Sequence, residues 1–288
     1  MVSILVTTDG SQLSRSVLPH AVRLAVACDA RLVLARVLDP AADLPNNHGN
    51  ARQATVPDIA RAWQAELDAV LQAAGASGTA LVALREHEES THEAIIRIAA
   101  EQDASLIAMH SRGSGALRHA LLGSVAMGVL GHWPGPLLLT GGHARPPAAS
   151  GPYSIVITSD GSPASLGVVP AIEPILAPGR IPVTLVRVCE PRSGRPGPEE
   201  EHAACLRQLE SLRALLPAGV PAECRCCAAA YEQPVAGAIV EAAGEVSADS
   251  IAMSTQGHGA LRHLLAGSVA LDVLQRSPVP VVLARGRG

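Results

Sequence analysis

Two kinds of turn, each present twice, carry the residues whose types and spacing suit ligand chemistry. One is a Thr/Ser-Asp-Gly-Ser turn with the carboxylates Asp9 and Asp160. The other is a Gly-rich turn, with Gly113 and Gly115 in its first copy and Gly257 and Gly259 in its second. Backbone N–H groups in such a turn can approach a phosphate closely, and the N-terminus of a following helix adds partial positive charge. The turns therefore indicate a phosphate site made by the backbone.

A lysine-based phosphate site is excluded, because all 22 basic residues of this 288-residue chain are arginine. The Gly-rich loop that ends in Gly-Lys-Ser/Thr and Schiff-base chemistry both need lysine. The net charge is −4 and aromatic residues make up only 1%. Nucleic-acid surfaces normally need basic patches and aromatic rings, so we expect no nucleic-acid partner. No apolar run reaches the roughly 20 residues of a membrane span, so we also expect no membrane partner.

A Gly-Ser pair follows ten residues after each Gly-rich turn, as Gly123-Ser124 and Gly267-Ser268. We predict that both pairs lie inside helices, near 117–131 and 261–276. Glycine in a helix interior costs about 1 kcal/mol relative to alanine. Its presence in both copies indicates close approach of the backbone, either to a ligand or to the sheet.

Purely structural roles remain open for these residues. Asp is a good N-cap residue, so Asp9 and Asp160 could serve only to begin the first helix of each half. The Gly-rich turns could serve only a tight strand-to-helix connection. His119 and His263 occupy equivalent Ala-Leu-Arg-His positions, where we expect exposure to solvent in place of catalysis. The sequence contains no G-x-S-x-G or H-E-x-x-H motif, so we predict no catalytic residue.

The elements that position these turns repeat with a period of about half the chain. Residues 3–11 resemble 154–162, and residues 109–126 resemble 253–270. Short β-branched runs alternate with longer Ala/Leu-rich amphipathic stretches, which is typical of βαβ units on a parallel sheet. We predict strands near 3–8, 31–37, 79–84, 105–109, 136–140, 154–158, 181–188, 221–226, 249–253 and 279–284. We predict helices near 12–28, 57–75, 90–102, 117–131, 163–176, 199–215, 232–245 and 261–276.

The order of the strands decides whether the two turns meet. If each sheet has the order 3-2-1-4-5, strands one and four are neighbours whose connections leave in opposite directions. The crevice between them is then the switch point at which α/β proteins bind ligands. The Asp turn and the Gly-rich turn both follow these strands, so this order predicts that they line one site.

The combined motif resembles that of the universal stress protein (UspA) family, whose pattern is Gly-x2-Gly-x9-Gly-Ser/Thr after a strand. Both halves match, so the chain resembles a tandem member over nearly its whole length. The resemblance implies an α/β fold of two Rossmann-like domains, similar to the adenine nucleotide alpha hydrolases, at residues 1–144 and 150–288. Each is expected to have a five-stranded parallel sheet flanked by helices. The fifth strands are expected to pair, so that the two domains form an intrachain pseudo-dimer.

The resemblance also implies which residues bind nucleotide. They are Asp9, Val37, Gly113, Gly115, Gly123, Ser124 and Val125 in the first half, and Asp160, Val188, Ser254, Gly257, Gly259, Gly267, Ser268 and Val269 in the second. The aspartates are expected beside the adenosine, and Val37 and Val188 are expected to offer backbone to the adenine. The first Gly of the motif is replaced by His110 and Ser254. Since His110 is bulky, the first site is expected to be the more crowded.

The resulting functional hypothesis is a stress-response protein that binds ATP, ADP or AMP, with or without Mg²⁺, as a regulatory ligand. The alternatives are a nucleotide-free interaction protein that resembles UspA itself, and a slow ATPase. A further homodimer and an unidentified protein partner remain open. The N-terminal residues enter a strand pattern without a basic region, so we expect no signal peptide and a cytoplasmic location.

The cysteines are unevenly distributed, with Cys28 in the first half and five others after Cys189 inclusive. This pattern is not typical of a disulfide framework, so we expect reduced thiols. Cys224, Cys226 and Cys227 lie on one predicted strand, where alternation places the first two on one face and Cys227 on the other. The spacing does not favour a zinc site, so we interpret the cluster as two buried cysteines and an incidental third.

Overall fold

Ten strands form one continuous sheet in the computed structural model of the chain, in the order β3-β2-β1-β4-β5-β10-β9-β6-β7-β8. The structure describes residues 1–44, 55–112, 122–177, 179–189, 198–228, 234–255 and 266–285. The first half contains β1 (Ser3–Thr7), α1 (Gln12–Arg15), α2 (Leu18–Cys28), β2 (Arg31–Leu38), α3 (Pro40–Asp43), α4 (Val56–Ala73), β3 (Gly78–Leu84), α5 (Thr91–Glu101), β4 (Leu106–His110), α6 (Ser124–His132) and β5 (Leu137–Thr140).

The second half repeats this order. It contains β6 (Ile155–Thr158), α7 (Pro163–Leu166), α8 (Val168–Ile172), a 3-10 turn (Glu173–Ile175), β7 (Val183–Cys189), α9 (Pro198–Arg213), β8 (Ala222–Ala228), α10 (Val235–Glu245), β9 (Ser250–Ser254), α11 (Ser268–Arg276) and β10 (Val281–Ala284). Within each half all strand pairs are parallel, and β5 pairs with β10 in the antiparallel sense. The predicted strand order and the predicted pairing of the fifth strands are both confirmed.

The sheet is covered on both faces, which explains why its strands lack a clean polar alternation. Ile4, Leu5 and Val6 are all fully buried. Ile4 and Val6 belong to the cluster that includes residues of α2 and α4, whereas Leu5 belongs to the cluster that includes residues of α5 and α6. Successive side chains of one strand therefore enter two separate cores.

Proline divides two of the helices predicted as continuous. The sequence predicts one helix over 12–28, but α1 ends at Arg15 and α2 begins at Leu18, with Pro19 in its first turn. The second half is divided in the same way, because α7 ends at Leu166, four residues before Pro170. A proline lacks an N–H, and its ring clashes with the carbonyl four residues earlier. The apolar pattern of a helix therefore continues past each proline, although the run of helical backbone hydrogen bonds is interrupted there.

A mostly buried ion pair joins the two halves near the segment that connects β5 to β6. The Arg23 Nε donates to Asp249 Oδ1 over 2.8 Å, and the side chains are only 15% and 8% exposed. Asp249 Oδ2 also accepts from the Ser154 backbone N–H at 2.9 Å, and Arg23 donates to the Pro152 carbonyl at 3.2 Å. Because these bonds run from α2 to the start of β6 and β9, they fix the second half against the first.

One cysteine pair differs from the expectation of reduced thiols. Cys205 on α9 and Cys226 on β8 form a disulfide across 21 residues. Cys28, Cys189, Cys224 and Cys227 are free. Cys224 and Cys226 pack on one face of β8 and Cys227 on the other, as the alternation predicts. The prediction that two of them are buried is wrong, since all three are only half-buried on this edge strand. The pairing joins the last strand of the sheet to the helix that covers it, and the cysteine spacing alone gives no sign of that contact.

His20 on α2 is expected to make the protein less stable in acid. Its side chain is 4% exposed, and burial lowers its pKa to about 4, opposed by a backbone hydrogen bond at Arg145 and by Asp249. The unfolded chain takes up this proton near pH 6.5, so the folded state loses stability as the pH falls from about 6.5 to 4. The loss is about 3 kcal/mol at the acid end. Urea titrations of the wild type and His20→Gln should diverge over this range, whereas His87→Gln, at an exposed histidine, should follow the wild type.

Removing the disulfide is expected to lower the free energy of unfolding by about 3 kcal/mol, because a link across 21 residues restricts the unfolded chain. Cys205→Ser and Cys226→Ser should show this loss in urea titrations under oxidising conditions. A reductant should bring the wild type to the same value and leave the variants unchanged, while Cys189→Ser should match the wild type. A wild-type stability that does not respond to reductant would contradict the prediction.

Candidate functional site

The Asp turn and the start of α6 meet at the carboxyl ends of β1 and β4, which are adjacent parallel strands. Between them lies a cleft of about 320 Å³. Its walls come from five elements and the turns that join them. They contribute Thr7, Thr8, Asp9, Ser14, Thr91, Ile95, Met109, His110, Ser111, Arg112, Gly123, Ser124, Val125 and Ala126. The predicted switch point is therefore a real concavity in the first half.

The Asp turn is shaped by serines, and its aspartate does not cap the helix. Ser11 is the N-cap of α1, since its side chain accepts from the Ser14 backbone N–H at 3.1 Å. Asp9 Oδ1 accepts from the Ser11 N–H at 2.9 Å. The second half has the same arrangement, in which Ser162 caps α7 and Asp160 accepts from Ser162 N–H at 2.9 Å. The hypothesis that the aspartates are N-caps is wrong, and both carboxylates lie on exposed residues at the strand ends.

Glycine is favoured after each aspartate by the left-handed backbone conformation of the turn. Gly10 has φ +87° and Gly161 has φ +80°, a conformation that side chains rarely adopt. A Cβ at Gly10 would overlap the Arg36 guanidinium, and one at Gly161 would overlap that of Arg187. Each turn thus depends on a left-handed glycine, and an arginine of the neighbouring strand lies close to that glycine.

The first-half arginine is well supported. The Arg36 guanidinium lies 3.3 Å from the centroid of the Trp63 ring and forms an ion pair with Glu66 at 3.3 Å. Burial lowers the pKa of Arg36, and Glu66 opposes that effect. In the second half Gln208 lies beside Gly161 and Arg187, so an amide stands where the first half has a carboxylate.

The Gly-Ser pairs begin helices, contrary to the prediction that they lie inside them. Gly123 is the N-cap of α6, with φ −72° and ψ 161°, and its N–H donates to the Ser111 carbonyl at 2.7 Å. Gly267 is the N-cap of α11, and its N–H donates to the Thr255 carbonyl at 2.6 Å. Neither N-cap has a side chain to bond the first-turn N–H groups. The first turns of both helices therefore present amide donors at the strand ends.

The room around Gly267 shows how closely the described backbone approaches this position. Among the described residues, a Cβ there would meet the Thr255 carbonyl oxygen at 3.5 Å, which is an ordinary contact. Since glycine is itself a favoured N-cap residue, its presence at 267 fits the start of α11 as well as close approach to a ligand.

His110 forms part of the cleft wall and does not fill the cleft. It is the last residue of β4, and it is 5% exposed. Its Nδ1 lies 3.0 Å from the Arg112 backbone N and 2.9 Å from the Arg112 carbonyl oxygen. Burial is the main cause that lowers the pKa of this imidazole. The equivalent residue on β9 is Ser254, which is 7% exposed.

The other predicted site residues are distributed as follows. Val37 and Val188 are half-buried near the ends of β2 and β7, on the sheet face that carries α5 and α6, and Val37 is not in the cleft wall. Ser268 and Val269 open α11 and are exposed. Gly113, Gly115, Gly257 and Gly259 lie outside the described residues, as do His119 and His263.

Sequence reasoning missed several residues of the cleft, chiefly Thr8, Ser14 and Thr91. Thr8 Oγ1 and Ser14 Oγ lie 2.7 Å apart in a buried hydrogen bond, which closes the floor of the Asp turn. Thr91 is the first residue of α5, after the N-cap Ser90 in a capping box with Glu93. The Ser-x-x-Glu spacing is a signal for a helix start and could have placed Thr91 at a strand end.

Metal sites and membrane-spanning helices were also sought among the described residues. Among them, no group of three or more His, Cys, Asp and Glu side chains could hold a metal ion. Within the same ranges, no helix is both long and apolar enough to cross a membrane. The polar groups of the cleft are hydroxyls, backbone amides, one carboxylate, one imidazole and one guanidinium, which suits binding of a polar ligand.

Comparisons with known proteins agree with the overall fold. No curated protein matches the sequence. A universal stress protein from Archaeoglobus fulgidus DSM 4304 has a similar structure, with 21% identity, a TM-score of 0.65 and coverage of 99% of this chain and 97% of that one. A putative universal stress protein from Pseudomonas aeruginosa UCBPP-PA14 has 19% identity, a TM-score of 0.57 and coverage of 98% and 92%. The family model for the Universal stress protein family matches residues 1–141 and again 154–285. The chain therefore belongs to the universal stress protein family, and it contains that family's domain twice.

Proposed function

We propose that this protein binds an adenine nucleotide, ATP, ADP or AMP, as a regulatory ligand in a stress response, and that the first-half cleft is one binding site. The observation that carries this proposal is the cleft of about 320 Å³ at the switch point between β1 and β4. This volume is at the lower end of the range for small-molecule sites. The resemblance of the motif to that of nucleotide-binding members of the family supports the same ligand class.

The phosphates would be held by the backbone. The first turn of α6 offers N–H groups with no side-chain cap, and its dipole favours negative charge. Ser124 and Val125 belong to this turn and line the cleft. The resemblance places Asp9 beside the adenosine, and its carboxylate suits a ribose hydroxyl. No residue in this arrangement is assigned a catalytic role.

The second half offers the same backbone donors. Gly267 begins α11 as Gly123 begins α6, and Asp160 sits in the same turn geometry as Asp9. We therefore propose a second site that includes Ser254, with one or two nucleotides bound per chain. We further propose a cytoplasmic location and domain limits near 1–144 and 150–288.

A carboxylate at the start of α6 is expected to weaken nucleotide binding without unfolding the protein. Asp at the first helical position suits the helix dipole, but in Ser124→Asp it would face the ligand phosphates. The affinity for ATP should fall at least about tenfold, since like charges at close range cost more than 1.4 kcal/mol. Calorimetry with ATP, ADP and AMP, with and without Mg²⁺, measures the affinity and stoichiometry, and Ser268→Asp is the matched variant in the second half.

The controls separate the competing functions. Chromatography of the denatured protein shows whether nucleotide is retained through purification. Absence of ATP, ADP and AMP binding up to millimolar concentration in the wild type would sink the proposal and favour a nucleotide-free interaction protein. Binding that persists unchanged in Ser124→Asp but is lost in Ser268→Asp would move the site to the second half alone.

A further inference from the structure

We propose that the His110 imidazole contacts an anionic group of the ligand in the first-half cleft and takes up a proton when that ligand binds. This inference rests on the proposed function, since it assigns a residue and a pH dependence to that site. It makes His110 a specificity residue that distinguishes the first half from the second. The contact needs an acidic ligand group such as a phosphate.

The main chain of Arg112 accommodates His110 in both protonation states. A neutral ring can accept from the Arg112 N–H, 3.0 Å from Nδ1. A protonated ring can donate to the Arg112 carbonyl oxygen, 2.9 Å from the same Nδ1. Uptake of a proton therefore exchanges one backbone partner for another and leaves the ring in place.

The second ring nitrogen is the one available to a ligand. His110 lines the cleft, and Nδ1 is already committed to Arg112. No described residue hydrogen-bonds the Nε2 of His110, and Nε2 is not among the fully buried polar atoms that lack a partner. On this proposal Nε2, which belongs to a ring that lines the cleft, is the nitrogen that faces the ligand. A protonated Nε2–H would donate a charge-assisted hydrogen bond to a phosphate oxygen there.

The charges around His110 allow a bound ligand to change the protonation of the imidazole. Burial holds the pKa of the free imidazole below its usual value, and the Arg112 guanidinium acts in the same direction. The hydrogen bond to the Arg112 backbone and the Asp9 carboxylate oppose this lowering. The residues that α5 and α6 contribute to the cleft carry no charge; they are Thr91, Ile95, Ser124, Val125 and Ala126. Burial therefore favours the neutral ring in the free protein, and a ligand phosphate would bring an opposing negative charge to it.

The sign of the pH effect follows from linkage. An anion beside the ring favours the imidazolium and raises the pKa of His110 in the complex. A site that binds more protons with ligand than without it binds ligand more tightly as the pH falls. Each unit by which the complex raises this pKa adds a factor of ten to the affinity at the acid end. The second half has Ser254 at this position, so its affinity should lack this contribution.

The experiment compares wild type with His110→Ser, which copies the second-half residue into the first half. Calorimetry with ATP in two buffers of different ionisation enthalpy, at pH 5.5, 6.5 and 8, measures proton uptake and affinity together. The wild type should take up more protons than the variant at pH 6.5, by up to about one, and its affinity should rise up to about tenfold more between pH 8 and 5.5. The titration of ATP itself and binding by the second half cancel in this difference.

Two further measurements keep the test independent of the variant's folding. The ring-proton resonance of His110, identified by its absence in His110→Ser, should titrate at higher pH with ATP than without it. Adenosine, which has no phosphate, should leave that titration unchanged. His87→Ser, at an exposed histidine, should behave as wild type throughout. ATP binding with equal proton uptake in wild type and His110→Ser would overturn this inference and leave the proposed function intact, whereas the absence of any ATP binding would overturn both.

Discussion

The antiparallel pairing of β5 with β10 is the contact on which the rest of the molecule depends. Leu137, Leu138 and Leu139 face Leu283, Val282 and Val281 in register, and all six are essentially buried. Without this pairing each half would end in an unpaired apolar edge, a template for aggregation. The pairing also positions the sites. The paired strands β5 and β10 form the seam between the two halves. On one side of this seam β5 pairs with β4, so that Thr140 lies opposite His110. On the other side β10 pairs with β9, so that Ala284 lies opposite Ser254.

The two outer edges of the sheet are treated differently from the seam. On β3, the Gln64 side chain donates to the Ala80 carbonyl at 3.1 Å, and Arg97 donates to the Leu84 carbonyl at 3.0 Å. These bonds occupy acceptors that another strand would use. On β8, charged residues and the disulfide to α9 hold the edge. Side-chain hydrogen bonds on β3 and a disulfide on β8 thus make the outer edges poorer templates for pairing with another strand. Apolar residues stabilise the seam between β5 and β10.

Much of this arrangement could be predicted from the repeat, because duplicated turns with a parallel-sheet pattern admit few topologies. The errors have a common physical cause. An apolar period does not show where a hydrogen-bond ladder is interrupted, so Pro19 and Pro170 divide helices that the period joins. The same apolar period runs through Gly123, although α6 begins there. A glycine N-cap has no polar side chain, so the sequence does not mark the start of this helix. The disulfide depends on the distance between α9 and β8, which no spacing rule supplies.

The duplication itself shows at which side chains the two halves differ. The features shared by both halves are set by backbone geometry: the Asp turn, the serine N-cap, the left-handed glycine over an arginine and the glycine that begins the helix. The differences fall on side chains that face those features. Glu66 becomes Gln208 beside the arginine, and Trp63, one helical turn before Glu66, corresponds to Cys205 of the disulfide.

His110 and Ser254 differ in the same manner at the strand ends. Since both halves keep the amide donors at the start of a helix, a general affinity for anions is expected of both. Discrimination between ligands, or between conditions, has to come from the side chains that differ. A second copy of the fold leaves one half free to keep the shared geometry while the other acquires a titratable group. The imidazole at the end of β4 and the hydroxyl at the end of β9 are therefore the positions at which the two halves would respond differently to the proposed ligand.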